Sequence, residues 1–121
     1  EVVQLSIKEV LAMGNIEHGK KVYKKCSACH IAVKGGKNLI GPALYGVVGR
    51  ASGSIGDYAY SNALKAHGKN WGFEELNAFL LKPKSYIKGT KMAYAGLRKD
   101  KDRASVILYL NSLSDSPLPK P

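Results

Sequence analysis

The pentapeptide Cys26-Ser27-Ala28-Cys29-His30 constrains this chain more than any other feature. A Cys-x-x-Cys-His run is the signature of covalent c-type haem attachment. On one turn of backbone two thiols can add to the two vinyl groups of a porphyrin, and the adjoining imidazole is delivered under the ring as an axial ligand. Other chemistries fit less well. A thioredoxin-like redox pair sits beside a βαβ pattern, and no alternating apolar strands flank these cysteines. A structural zinc site takes four nitrogen or sulfur ligands; with two cysteines in all, it would need His30 plus His18 or His67 at unsuitable spacing. A disulfide across two intervening residues closes almost no loop and stabilises little.

At 121 residues the chain is one domain with a small core, near the size at which a buried cofactor adds much of the apolar contact. It has no apolar run long enough to span a membrane. It opens on Glu1 and shows no signal peptide, so the expectation is a mature or trimmed piece whose signal or anchor lay upstream. The formal net charge is +10. Nucleic acid is the usual partner of so basic a chain, but the lysines are dispersed and no nucleic-acid motif is present, so none is expected. Such a charge also speeds encounter with an acidic protein surface, by about 10- to 1,000-fold at low salt. An electron carrier would use it that way.

Ser6-Ile7-Lys8-Glu9 reads as a capping box that starts a short helix over Ile7 to Met13, although a frayed terminal arm is an equal alternative. Asn15 offers an N-cap for a helix through Lys25 that leads directly into the Cys-x-x-Cys-His turn. Gly19 and Tyr23 share one face of it, and a glycine inside a helix suggests a close crossing there. Residues 31–57 are glycine-rich and aperiodic, a long loop of the kind that wraps a cofactor. Short helices are predicted over Tyr60 to Ala66 and Gly72 to Leu81, the latter ended by Pro83, with Lys84 to Leu97 irregular. Asp100 is predicted to cap a last helix through about Leu113, with an apolar stripe of Val106, Ile107, Leu110 and Leu113. The expected organisation is an arm or short helix over 1–13, one domain over 14–116 and a loose proline-rich tail over 117–121.

If haem is bound through His30, the remaining axial candidates are Met13, Met92, His18 and His67. Met92 stands out because the stretch Gly89-Thr90-Lys91-Met92 has few other reasons to hold a thioether, although methionine is more often a core gap-filler.

The chain resembles the class I monohaem cytochromes c of mitochondria and alphaproteobacteria. The resemblance runs from Gly14 to about Asp115. It is carried by Gly14-Asn15-Ile16-Glu17, Gly19-Lys20-Lys21-Val22-Tyr23, Gly41-Pro42-Ala43-Leu44 and Gly49-Arg50 in the first half. Asn70-Trp71-Gly72, Pro83-Lys84-Ser85-Tyr86-Ile87, Gly89-Thr90-Lys91-Met92 and Val106-Ile107-Leu108-Tyr109-Leu110 carry it in the second. The resemblance implies a compact all-α fold wrapped around one covalently attached haem, with the N- and C-terminal helices crossing near Gly19, Tyr23 and Tyr109. It makes Cys26 and Cys29 the thioether anchors, His30 the proximal ligand and Met92 the distal ligand. It places the Pro42 carbonyl on the His30 ring N–H, and Arg50, Tyr60, Trp71 and Thr90 around the propionates.

Phe79 and Leu64 depart from the family pattern, standing where many relatives carry a tyrosine and an asparagine, so the distal pocket is expected to be drier. Tyr94 replaces a phenylalanine at the haem edge. Lys20, Lys25, Lys37, Lys84, Lys91, Arg98 and Lys99 would ring that edge. The implied activity is one-electron carriage between a quinol:cytochrome c reductase and a terminal cytochrome oxidase, by a monomer that is not itself an enzyme. A peroxidase or sensor in which Met92 dissociates is the alternative. Covalent haem implies an oxidising compartment: a bacterial periplasm, with a possible membrane tether, or else the mitochondrial intermembrane space.

Overall fold

The computed structural model describes residues 5–121, so residues 1–4 of the expected arm lie outside the described residues. Among the described residues there are six helices: α1 Ile7–Ala12, α2 Ile16–Tyr23, α3 Asn62–His67, α4 Phe73–Leu81, α5 Pro83–Tyr86 and α6 Asp100–Ser112. Among the described residues there is no strand, only an isolated bridge between Ala51 and Asn70.

α1 and α2 start where their caps require. Ser6 Oγ accepts from Glu9 N at 3.1 Å while Ser6 N donates to Glu9 Oε1 at 2.9 Å, the reciprocal capping box. Val10 and Leu11 are buried, so α1 is a packed element rather than a frayed arm. Asn15 caps α2 through His18 N at 3.0 Å. That helix ends at Tyr23, short of the predicted Lys25, and the cysteine motif follows as a run of turns.

α2 crosses α6 at Gly19. A Cβ there would lie 2.0 Å from the Ser105 carbonyl oxygen and 2.8 Å from Tyr109 Cβ, so only glycine lets the two backbones meet. Tyr23 and Tyr109 rings pack 5.7 Å apart beside the crossing, and His18 Nε2 meets Asp102 Oδ1 at 2.7 Å across it. The predicted stripe of α6 is observed: Val106, Ile107 and Leu110 are buried, and Leu113 packs against them.

Four expectations about elements are corrected. α3 begins at Asn62, because Ser61 Oγ caps Leu64 N at 3.1 Å. Pro83 does not merely end α4 but opens α5 inside the segment read as irregular, since a proline at the first helical position lacks only an N–H that would go unpaired anyway. Asp100 lies inside α6 rather than capping it, and pairs with Arg103, whose buried guanidinium also donates to Leu97 O and Arg98 O at 2.8 and 2.9 Å. The tail is anchored at Leu118, whose backbone N and O bond the Asn111 side chain at 3.0 and 2.9 Å.

Candidate functional site

The loops between α2 and α3 and between α5 and α6 close over a cavity of about 320 Å³. Cys26, Cys29 and His30 line it, and no disulfide joins the two cysteines. The turns that place them are tied by Cys29 N and His30 N donating to the Cys26 carbonyl, each at 3.0 Å. Tyr23 in the last turn of α2 donates from its hydroxyl to the His30 carbonyl at 2.8 Å, which fixes the backbone under the imidazole.

The His30 ring is oriented by a single bond. Nδ1 donates to the Pro42 carbonyl at 2.7 Å, an acceptor with no proton to offer, so Nδ1 holds the hydrogen and the Nε2 lone pair is free to bind a metal. Burial lowers the imidazole's proton affinity; the Pro42 bond opposes this shift and the Arg50 charge adds to it. A neutral ligand-competent ring results. Gly41 lies flat against it: a Cβ there would fall 2.2 Å from Cε1 and 2.6 Å from both ring nitrogens. Burial raises the Cys26 thiol, with Cys29 reinforcing the shift and Lys25 opposing it.

Of the other ligand candidates, Met92 alone lines the cavity. His18 is engaged with Asp102, His67 lies beside Glu75, and Met13 is 45% exposed. Met92 sits in a loop whose backbone is tied by Met92 N to Thr90 Oγ1 at 3.3 Å.

Arg50, Tyr60, Trp71 and Thr90 line the same cavity. Arg50 is half-buried, donates to the Tyr45 carbonyl at 3.4 Å, and pairs with no carboxylate among the described residues. Tyr60 accepts from Ile55 N at 3.2 Å, which leaves its own proton free to donate. A cation lacking a counter-ion and hydroxyls with protons to give are the donor set an anionic group needs. The remaining lining includes Leu44, Val47, Leu76, Leu80, Val106 and Leu110. Apolar walls with two thiols, an oriented imidazole, a thioether and a polar end fit a haem and its propionates.

A family model described as Cytochrome c matches residues 16–114. The chain belongs to the cytochrome c family. It is 48% identical over 116 residues to a cytochrome c homologue of Bradyrhizobium diazoefficiens, a match covering 95% of this chain and 63% of that protein. A Rickettsia bellii homologue is 48% identical over 108 residues, covering 89% of this chain and 62% of that protein. Cytochrome c of Euglena viridis is 50% identical over 103 residues, with 84% of this chain and all of that protein covered. The chain thus spans less than two thirds of the bacterial relatives and the full length of the Euglena protein. Its structure is similar to cytochrome cH from Methylobacterium extorquens, with a TM-score of 0.77, 38% identity, and coverage of 82% of this chain and 99% of that one.

Cytochromes c bind haem c covalently, and in this cytochrome c the thiols available for it are Cys26 and Cys29. Phe79 and Leu64, the two departures from the family pattern, both line the cavity, and Phe79 packs on Trp71 with ring centroids 5.0 Å apart. Tyr94 lines it too, and burial raises its phenol. The seven basic residues expected around the haem edge are all exposed, and Lys25 and Lys91 reach the cavity lining. Sequence reasoning missed Tyr58, which lines the cavity and donates to the Ile40 carbonyl; no local pattern marks it. No described helix is long and apolar enough to cross a membrane.

Proposed function

We propose that this chain is the redox domain of a one-electron carrier working between a quinol:cytochrome c reductase and a terminal cytochrome oxidase in a bacterial periplasm. The bound haem supplies the Fe(III)/Fe(II) couple. Cys26 and Cys29 would hold it through thioethers, and His30 and Met92 would ligate its iron. The observation that carries the reading is the convergence of an oriented, neutral His30 and the lone cavity thioether of Met92 on one apolar cavity. A His/Met ligand pair would raise the potential of haem iron, and with both residues engaged the iron would have no open place for oxygen or peroxide. Arg50, Tyr60, Trp71 and Thr90 bind the propionates, and Pro42 holds the His30 tautomer.

The exposed cations Lys20, Lys25, Lys37, Lys84, Lys91, Arg98 and Lys99 form the docking face for an acidic partner. Charge-steered docking weakens with ionic strength, so oxidase turnover that ignores salt would contradict this face.

The test is an absorption spectrum of the purified protein, oxidised and dithionite-reduced, with and without carbon monoxide. Low-spin spectra in both states, a weak ferric sulfur-to-iron charge-transfer band and no response to carbon monoxide are expected. A missing band together with carbon monoxide binding would put Met92 off the iron and favour a haem enzyme or sensor.

A further inference from the structure

α3, α4 and α5 bring three polar side chains together that the carrier function does not use. His67 Nε2 lies 3.5 Å from Glu75 Oε2, and that same oxygen accepts from the Tyr86 hydroxyl. Lys69 Nζ stands 3.8 Å from Glu75 Oε1. The His67 side chain is 14% exposed, and its Nε2 has no hydrogen-bond partner among the described residues. Its ring stacks on Trp71, with centroids 5.9 Å apart and planes 26° from parallel, and meets Tyr86 edge-on at 5.4 Å. Trp71 lines the haem cavity. A titratable group is therefore one ring away from the redox centre, inside the protein, where charge is weakly screened.

We propose that His67 is a proton site linked to the redox state through Trp71: its imidazolium raises the haem potential, and reduction of the haem raises its affinity for a proton. The two effects are one coupling free energy seen from its two ends. With haem bound, uptake of one electron would draw a fraction of a proton from solvent to His67 Nε2, so the charge gained at one site would be partly offset at the other.

The groups facing His67 leave it as the one that switches. Glu75, from α4, is held below the usual carboxylate range, first by the Tyr86 hydrogen bond, and is ionised across neutral pH. Tyr86, from α5, is pushed up to about 12, by burial first and then by Glu75, and remains a neutral donor. Lys69, between α3 and α4, approaches Glu75 from the side away from Tyr86, through the other carboxylate oxygen. Histidine is the side chain that ordinarily changes charge between about pH 5 and 8. Protonation turns the 3.5 Å approach to Glu75 into an ion pair, so the network accepts the proton without leaving a buried charge alone.

The inference rests on the carrier reading, and its test is separable from that reading. Spectroelectrochemistry of the haem-loaded protein between about pH 5 and 8 is to be compared for wild type, His67→Gln and Glu75→Gln. The wild-type midpoint is expected to fall as pH rises, His67→Gln to fall less, and Glu75→Gln to shift the step to lower pH because the imidazolium loses its counter-charge. Equal pH slopes in wild type and His67→Gln would overturn the proposal. If His67→Gln does not fold, proton resonances of the wild-type His67 ring decide: a higher pKa in the ferrous than in the ferric protein supports the linkage, and equal values overturn it. Loss of the His/Met spectrum would instead indict the carrier reading.

Discussion

At the residue scale, the motif was legible because its chemistry is local. Cys26, Cys29 and His30 are neighbours in the chain, and their spacing alone states what they bind. Met92 could be ranked by residue chemistry only against three rivals, and it is the fold that sends His18, His67 and Met13 elsewhere. Gly41 was legible as part of a family pattern, not as a spacer for an imidazole. Gly41→Ala is expected to force the His30 ring off the Pro42 carbonyl, since a Cβ 2.2 Å from Cε1 cannot be accommodated. Its reduced and oxidised spectra should show partial loss of low-spin character, or holoprotein yield should collapse; a wild-type spectrum at full yield would refute the contact.

Tyr86→Phe tests the neighbouring network by pH. The native phenol is raised from 10.0 to about 12, so the stability its hydrogen bond supplies is complete below about pH 10 and is lost as pH rises through about 12. A hydrogen bond to a charged acceptor contributes about 1.5–3 kcal/mol, and partial exposure of Glu75 sets the expected loss near the lower end. Urea unfolding should show that gap at neutral pH and a closing gap in strong alkali. Glu75 has the opposite sign: its lowered pKa supplies stability that is lost as pH falls through the native value.

At the scale of elements, local chemistry is legible wherever a side chain caps its own helix. Ser6 with Glu9, and Asn15, act over three residues and are readable in order. α5 was hidden because Pro83 carries two opposite meanings, a stop for the helix before it and a favourable first residue for the one after. The Leu118 anchor was hidden because its partner Asn111 belongs to another element and bonds backbone, not side chain. The crossing of α2 and α6 was anticipated from Gly19, because a glycine inside a helix needs a compensating contact. Gly19→Ala would drive a methyl to 2.0 Å from the Ser105 carbonyl, which belongs to the backbone of α6 and cannot rotate away. Overpacking of this kind costs about 1–3 kcal/mol, and a clash with backbone belongs at the top of that range. A urea midpoint within error of wild type would show that the helices part freely.

For the whole molecule, the cavity decides what the chain can do without its cofactor. The cofactor cavity is bounded by residues that also form the core, among them Trp71, Leu76, Phe79, Leu80, Val106 and Leu110. An unfilled space in a core costs about 24 cal/mol per Å³, so about 320 Å³ corresponds to at most about 8 kcal/mol. Native domains hold together by about 5–15 kcal/mol in total, and the basic chain adds self-repulsion at net charge +10. Haem contact is therefore expected to supply most of the margin for folding. Cys26→Ala/Cys29→Ala, which removes both attachment points, should give a chain with little helix by circular dichroism and no cooperative thermal transition when haem is absent. Free haem added to it should restore part of the helix, because His30 and the apolar walls remain. A haem-free double variant that melts cooperatively with wild-type helix content would mean that the α2–α6 crossing and the α4 packing suffice without the cofactor.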